Sequence, residues 1–373
     1  MRISARRLLV GLVVLALLGI IPMIALASNG NGTAAKPTVT HGPKRTPVPT
    51  RTPTPTTAPT AVPTILPTAV PTAVPTAVPT AVPTAVPTAV PTAVPTAVPT
   101  APPPTAPPPT VLVGAGDIAS CSSTGDEATA DLLDTIGGTV FTLGDNVYDN
   151  GTATEFTNCY GPSWGRSAIK SRTKPVPGNH EYNTAGATGY YGYFGSAAGD
   201  PTKGYYAYNA GAWRVYVLNS NCSIVSCSAG STQEQWLRGD LAANPRSCVV
   251  AMWHHPLFSS GEHGNSTVTQ DLYQALYDFN ADLVLVGHDH DYERFAPQNA
   301  SGGLDNARGI VEMVVGTGGR SHYAFTTIRA NSLVRNGTAY GVVRLALSAN
   351  SWQFNFIPVA GQTFTDSGTG TCH

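Results

Sequence analysis

A proline repeat constrains this chain more than any other feature of its sequence. Residues 60–99 repeat a four-residue unit, Thr-Ala-Val-Pro, with one variant, and 23 of the 32 prolines lie between Pro37 and Pro109. Each proline fixes φ at about −65° and pushes the preceding residue toward extended conformations. The segment also has no acidic or aromatic residue, so it cannot bury a core. We predict a disordered, polyproline-like Pro/Thr/Ala-rich linker over residues 28–110 and one folded domain over residues 111–373.

The first 27 residues have the features of an export signal. Arg2, Arg6 and Arg7 precede an apolar run from Leu8, and Ala25-Leu26-Ala27 matches a small-x-small cleavage site. We therefore expect a secreted or extracellular protein. The apolar run, of about 20 residues, is also long enough to span a bilayer, so an uncleaved anchor that tethers the protein to the membrane or cell surface stays open.

Charge and cysteine usage restrict the chemistry of the folded domain. It holds 14 Lys and Arg against 22 Asp and Glu, a formal charge of −8, and has no basic run. Without a positive surface we expect no stable nucleic-acid binding. All six cysteines lie in this domain and none forms a C-x-x-C pair, which in an exported protein favours disulfides over a thiolate metal site. Proximity in sequence suggests only the pair Cys222 and Cys227.

Short apolar runs alternate with helical patterns in the domain, which predicts an α/β fold. The runs read as buried strands over residues 111–113, 140–143, 215–218, 249–253, 283–286 and 311–315. Helical patterns cover residues 126–136, 231–241 and 269–279, the second opening with a capping box at Ser231. Residues 339–347 and 352–357 predict an antiparallel hairpin.

Polar side chains follow these strands at the points where the strands end. The turns are Gly116-Asp117, Gly144-Asp145, Gly178-Asn179-His180, His254-His255 and Gly287-His288-Asp289-His290. Open α/β sheets bind ligands outside the carboxyl ends of their strands. Taken singly, a Gly-Asp pair is more often an ordinary turn, and the two histidines of the last motif could be an exposed pair. Together, carboxylate, amide and imidazole groups predict a centre for hard or borderline cations.

The same residues carry a family resemblance. Gly116-Asp117, Gly144-Asp145-Asn146-Val147-Tyr148, Gly178-Asn179-His180-Glu181, His254-x-Pro256 and Gly287-His288-x-His290-x-Tyr292-Glu293-Arg294 together resemble the motifs of calcineurin-like metallophosphoesterases. Within that superfamily the series looks like a purple acid phosphatase. The resemblance runs from about residue 111 to residue 294. It implies an α/β sandwich in which two packed mixed β-sheets are flanked by helices.

The resemblance implies a ferric ion held by Asp117, Tyr148 and His290. Many calcineurin-like enzymes place a histidine ligand at the position of Ala119, whose side chain cannot bind metal. Tyr148 stands where purple acid phosphatases place an iron-binding tyrosinate. Plain aromatic packing is the alternative role for Tyr148.

A second, divalent ion, Fe, Zn or Mn, is implied at Asn179, His254 and His288, with Asp145 bridging the two ions. The implied activity is that of a metal-dependent phosphoric ester hydrolase. Attack of a metal-bound hydroxide would hydrolyse a phosphomonoester, and the partner would be a small phosphorylated substrate.

Two histidines outside the ligand set could protonate the leaving group. His180 and His263 match histidines that the family places just outside its metal ligands, and either could be the general acid, although His263 could also be a plain surface-loop residue. His255 has no assigned role. We interpret Glu293 and Arg294 as a structural ion pair.

Two other functions stay open at this point. A phosphodiesterase or nucleotidase would share every ligand and differ only in the walls of the pocket. A surface-displayed binding module, with a degenerate metal site and the Pro/Thr linker as its working part, is the alternative from outside enzymology.

Overall fold

A computed structural model describes residues 107–373 of the chain. The predicted export signal and nearly all of the predicted linker lie outside these residues. The first strand begins at Thr110, one residue before the predicted start of the domain. Within residues 107–373, no helix combines the length and the apolar character needed to cross a membrane.

Thirteen strands form in the described part of the chain. They are β1 Thr110–Ala115, β2 Thr139–Thr142, β3 Thr173–Lys174, β4 Tyr206–Ala210, β5 Trp213–Val217, β6 Val249–Met252, β7 Leu283–Val286, β8 Tyr292–Phe295, β9 Val311–Val315, β10 Ser332–Asn336, β11 Gly341–Leu347, β12 Ser351–Pro358 and β13 Ser367–Thr371. All six strands predicted from apolar runs are present. The predicted hairpin is β11 and β12, which pair antiparallel.

Six α-helices accompany these strands. They are α1 Gly125–Thr135, α2 Ala153–Glu155, α3 Ser167–Lys170, α4 Thr188–Phe194, α5 Thr232–Ala243 and α6 Gln270–Asp278. The three predicted helices correspond to α1, α5 and α6, with ends shifted by one or two residues. The Ser231 side chain accepts the Glu234 N–H at the start of α5, which is one half of the predicted capping box. The other half does not form, because the Glu234 carboxylate accepts the Gly230 N–H instead of the Ser231 N–H.

The strands form two mixed sheets. The first has the order β13-β12-β11-β1-β2-β3, and the second has the order β10-β8-β9-β7-β6-β5-β4. Strands β1, β2 and β3 run parallel in the first sheet, and β5, β6, β7 and β9 run parallel in the second. The remaining neighbours are antiparallel. Parallel strands place their carboxyl ends at one edge, which is where the candidate site lies.

Successive side chains of the central strands point into two different layers of the core. In β7, Leu283 and Leu285 belong to the apolar cluster shared by the two sheets, whereas Val284 and Val286 join the cluster with α5 and α6. Successive strand residues point to opposite faces, so a continuous apolar run suits a strand covered on both sides. The predicted arrangement, two packed mixed sheets flanked by helices, is therefore confirmed.

Three disulfides involve all six cysteines. Cys121 bonds Cys159, Cys222 bonds Cys227, and Cys248 bonds Cys372. The preference for disulfides and the predicted local pair are both confirmed. The third bond joins the residue before β6 to the end of the chain, across 124 residues of sequence.

Candidate metal centre

The candidate centre lies where β1, β2, β6 and β7 end. Each strand is followed within two or three residues by one candidate ligand, in the order Asp117, Asp145, His254 and His288. Glycine is needed where the turns pack together, because a β-carbon at Gly178 would overlap the Asp145 carboxylate. The packing of four strand ends thus brings distant residues to one point.

Three residues of the centre have an unusual backbone conformation. Asp117, Asp145 and His288 have φ values of 58°, 47° and 74°. This left-handed region is unfavourable for residues other than glycine, although Asp and His tolerate it better than most. Such conformations cost about 1–3 kcal/mol each and concentrate at functional sites, where the surrounding structure enforces them.

One group of ligand atoms forms around Tyr148. Its hydroxyl lies 2.8 Å from Asp117 Oδ1 and 3.1 Å from His290 Nε2. His290 Nδ1 lies 2.7 Å from the Ser321 carbonyl oxygen and donates to it. The neutral ring therefore keeps a lone pair on Nε2, which faces the other two atoms.

A second group forms around His254. Its Nε2 lies 3.0 Å from Asn179 Oδ1, 3.2 Å from His288 Nδ1 and 3.3 Å from Asp145 Oδ2. His254 Nδ1 donates to the Leu143 carbonyl oxygen at 2.7 Å, which leaves the Nε2 lone pair of the neutral ring facing the group. His254 and Asp145 are almost fully buried.

Asp145 belongs to both groups. One ligand atom from each of Asp117, Asp145 and His254 lies within 4.8 Å of the others. Burial alone would raise the pKa of Asp145, but His254 and His180 outweigh burial and hold this pKa far below its ordinary value. Asp145 is therefore an anion placed between the two groups, where a bridging ligand would stand.

The electrostatics of these groups fit bound cations. Burial lowers the pKa of His254, but Asp145 outweighs it and raises the pKa to about 9, so without a cation this ring is protonated and a bound cation would take the place of the proton on Nε2. Burial, with the Asp117 and Asp145 charges, raises the pKa of Tyr148 well above 10. A tyrosinate at this place therefore requires a strongly charged cation beside it. Converging carboxylate, amide, phenol and imidazole atoms, with ring hydrogens turned outward, suit one hard and one borderline cation.

The structure brings all seven predicted metal ligands together. They are the three residues around Tyr148, the three around His254, and Asp145 between them. His180 and His263, the two predicted proton donors, also border the centre. His180 Nε2 lies 3.8 Å from Asp145 Oδ2, and its Nδ1 donates to the Asp149 carbonyl oxygen at 2.6 Å.

His263 reaches the centre from the loop after β6. Its ring stacks on His288 with 4.2 Å between the ring centroids. The Asp289 carboxylate fixes this loop, because it accepts the His263 N–H at 2.8 Å and the Ser259 hydroxyl. His263 is exposed, but its stacking on a candidate ligand distinguishes it from an unconstrained surface residue.

Sequence reasoning missed two features of the site. Asp289 lies between the two histidines of its motif, yet its role in holding the His263 loop depends on the fold. Arg320 lies in the glycine-rich turn after β9, and its guanidinium carbon is 4.7 Å from the centre of the Tyr148 ring. Glycines in that turn were the available signal, because they mark a close approach of backbone to the site.

The interpretation of Glu293 and Arg294 as an ion pair is wrong. Both lie on β8, where adjacent side chains point to opposite faces. Glu293 accepts hydrogen bonds from Ser260 and Ser332, whereas Arg294 pairs with Asp366 at 2.7 Å.

Comparison with known proteins agrees with this geometry. The family model described as calcineurin-like phosphoesterase matches residues 111–292. An uncharacterized protein of Mycobacterium tuberculosis is 29% identical over 194 residues, covering 42% of this chain and 37% of that protein. Purple acid phosphatase 15 of Arabidopsis thaliana is 29% identical over 206 residues, covering 47% and 38%. The chain thus spans less than two fifths of the length of these relatives.

A solved structure shares the fold. The purple acid phosphatase PPD1 from yellow lupin seeds superposes with a TM-score of 0.55 at 20% identity, covering 70% of this chain and 53% of that one. The matched family segment ends at Tyr292, so it contains all the strand ends described above. Residues 111–292 of this chain therefore match the calcineurin-like phosphoesterase family, and purple acid phosphatases are among the proteins that the chain resembles.

Proposed function

We propose that this protein is an exported, metal-dependent phosphoric ester hydrolase that acts on phosphomonoesters in the manner of a purple acid phosphatase. The observation that carries the proposal is the convergence of seven ligand side chains in two groups that share Asp145. Asp117, Tyr148 and His290 would hold a ferric ion. Asn179, His254 and His288 would hold a divalent Fe, Zn or Mn ion.

The metal pair would supply the charge and the activated water for hydrolysis, since two neighbouring cations stabilise the attacking and leaving oxygens of an in-line displacement. The chain's own residues would supply the proton that the leaving oxygen needs. His180 and His263 border the centre from different loops, and either would donate a proton to the leaving oxygen. The Asp289 carboxylate would keep His263 in place for this step.

Export through residues 1–27 and a linker over residues 28–110 complete the proposal. The three disulfides support an oxidising compartment. A phosphodiesterase or nucleotidase would use the same ligands, so substrate comparison has to separate them. A binding module with a degenerate site is disfavoured because each of the seven implied ligand positions holds a side chain that can bind a cation.

Metal analysis with a substrate panel tests the proposal. We expect two metal ions per chain and faster hydrolysis of p-nitrophenyl phosphate than of bis(p-nitrophenyl) phosphate. Asp145→Asn should lower turnover more than about a hundredfold, because losing even an outer partner of a metal ligand costs about 10- to 100-fold. Asp131→Asn, at an exposed carboxylate, is the matched control and should leave turnover and metal content unchanged.

Two results would reject this function. One is full activity in Asp145→Asn, and the other is absence of hydrolysis by the protein loaded with two metals. Faster hydrolysis of the diester than of the monoester would instead favour the phosphodiesterase alternative.

A further inference from the structure

His255 borders the centre but has no place in the ligand set described above. One ring nitrogen from each of His254, His255 and His288 lies within 4.8 Å of the others. The His255 ring is half-buried, and its centroid is 4.4 Å from that of His288. The ring could therefore be an additional metal ligand, a hydrogen-bond donor to a bound group, or packing.

Ser220 decides which nitrogen of His255 carries hydrogen. The Ser220 hydroxyl oxygen accepts the backbone N–H groups of His254 at 3.2 Å and of His255 at 3.0 Å. These two bonds use both of its lone pairs, so its single hydrogen is left for His255 Nδ1, 2.9 Å away. Nδ1 is then an acceptor, and the neutral ring carries its hydrogen on Nε2.

This tautomer separates the three roles. A nitrogen that carries hydrogen cannot coordinate a cation, and Nδ1 is already engaged, so His255 is not a metal ligand in this arrangement. The backbone is fixed as well, because the Trp253 indole N–H donates to the His255 carbonyl oxygen at 2.8 Å. The role that remains for His255 is that of a fixed N–H donor, on a ring that lies beside the residues proposed to hold the divalent ion.

We propose that His255 Nε2–H donates a hydrogen bond to a phosphoryl oxygen of the substrate, and that Ser220 is a positioning residue that fixes the required tautomer. This inference rests on the proposed function for the arrival of a phosphoryl group at the centre. The cations would attract the negatively charged phosphoryl group of the substrate, and the His255 Nε2–H would set the orientation of that group. Anionic oxygens are strong acceptors, which suits a neutral donor at this place.

The tautomer is measurable without metal or substrate. In the full-length metal-free protein labelled with ¹⁵N-histidine, the ring-nitrogen shifts of His255 should report hydrogen on Nε2. Ser220→Ala should change this pattern toward a mixture of tautomers, whereas Ser220→Thr, which retains the hydroxyl, should preserve it. Hydrogen on Nδ1 in the wild-type protein would overturn the proposal.

Binding of inorganic phosphate to the metal-loaded full-length protein gives the second readout, by calorimetry. His255→Ala should bind phosphate about ten- to a hundredfold more weakly, as expected for a lost hydrogen bond to a charged group. His255→Gln, which still offers an N–H, should recover much of the affinity, and His373→Ala should bind as the wild type does. Both variants at residue 255 should retain two metals.

Failure of the His255 inference and failure of the proposed function would give different results. Unchanged phosphate affinity in His255→Ala would reduce the ring to packing, and loss of one metal would make it a ligand; either result overturns the proposal. Wild-type protein that binds phosphate through His255 but hydrolyses no ester would reject the proposed function and leave this inference standing.

Discussion

At the scale of single residues, the centre depends on side chains whose ionisation the surroundings control. Asp145 is held as an anion by His254 and His180, whereas burial and nearby carboxylates keep the hydrogen on Tyr148. The same surroundings thus favour the ionised form of Asp145 and disfavour the ionised form of Tyr148. A bound cation would reverse the second effect, because it replaces the repulsion between phenolate and carboxylates with attraction.

Replacement of Tyr148 tests this coupling. The iron-loaded protein should show a visible tyrosinate-to-iron charge-transfer band, and Tyr148→Phe should lose it. Tyr323→Phe is the matched control, since Tyr323 stacks on His290 with 3.9 Å between ring centroids but belongs to neither ligand group. Absorption spectra of the two variants decide the point. A band that survives in Tyr148→Phe would remove Tyr148 from the ligand set.

At the scale of elements, the strands that the sequence predicts are those with continuous apolar runs. Strands β6, β7 and β9 are buried on both faces, and no other packing accommodates such runs as well. Strand β13 reads Ser-Gly-Thr-Gly-Thr and lies at a sheet edge, so its sequence contains no burial signal. Strand β3 has only two residues, too few for any periodicity. These elements depend on tertiary pairing rather than on local preference.

Strand β9 contains a buried carboxyl group, that of Glu312, which is unusual in a strand core. Glu312 is fully buried, accepts the Phe258 N–H at 3.0 Å, and has no partner for its second oxygen among the described residues. Burial, with a contribution from Glu293, raises the pKa of Glu312 to about 8. The folded protein therefore binds this proton more tightly than the unfolded chain does.

Stability should accordingly fall as the Glu312 proton is lost. The contribution is complete below about pH 4.5 and declines by about 1.4 kcal/mol per pH unit until about pH 8. Glu312→Gln keeps an acceptor for Phe258 and removes the titration, so its free energy of unfolding should be flatter over this range and exceed that of the wild type at pH 8. Denaturant titrations at several pH values measure this, with the exposed Glu262→Gln as control. Parallel profiles for wild type and Glu312→Gln would contradict it.

At the scale of the whole molecule, three disulfides close loops of very different length. In the chain-entropy view, a longer closed loop restricts the unfolded state more and stabilises the fold more. The Cys248–Cys372 bond spans 124 residues, whereas the Cys222–Cys227 bond spans five. The former also fastens the last strand of the first sheet to the start of β6 in the second.

Removal of single disulfides should follow this order. The double variant Cys248→Ser/Cys372→Ser should lose about 4–5 kcal/mol of unfolding free energy, and Cys222→Ser/Cys227→Ser about 2 kcal/mol. Thermal and denaturant unfolding of the two variants provide the comparison. The reverse order would show that native packing, rather than loop length, governs the contribution of these bonds.

The metal centre was more predictable than its surroundings. The proposed ligands follow strand ends in a fixed order, and the family resemblance of these motifs singled out residues such as Asp117, Asn179 and His288. The roles of Asp289 and Ser220 were not predictable, because each acts through a partner many residues away that only the packed loops bring near. Orientation of ring nitrogens likewise depends on carbonyl groups such as that of Leu143.

The position of β1 has a practical consequence. Thr110 opens this strand and Asp117 follows its other end, so about 20 Å of extended chain separates them. A carrier, bead or fusion partner joined ahead of Thr110 would thus be attached at the end of β1 opposite the candidate centre. The candidate centre would then lie at the far end of β1 from the support, which makes amino-terminal immobilisation the natural choice for this protein.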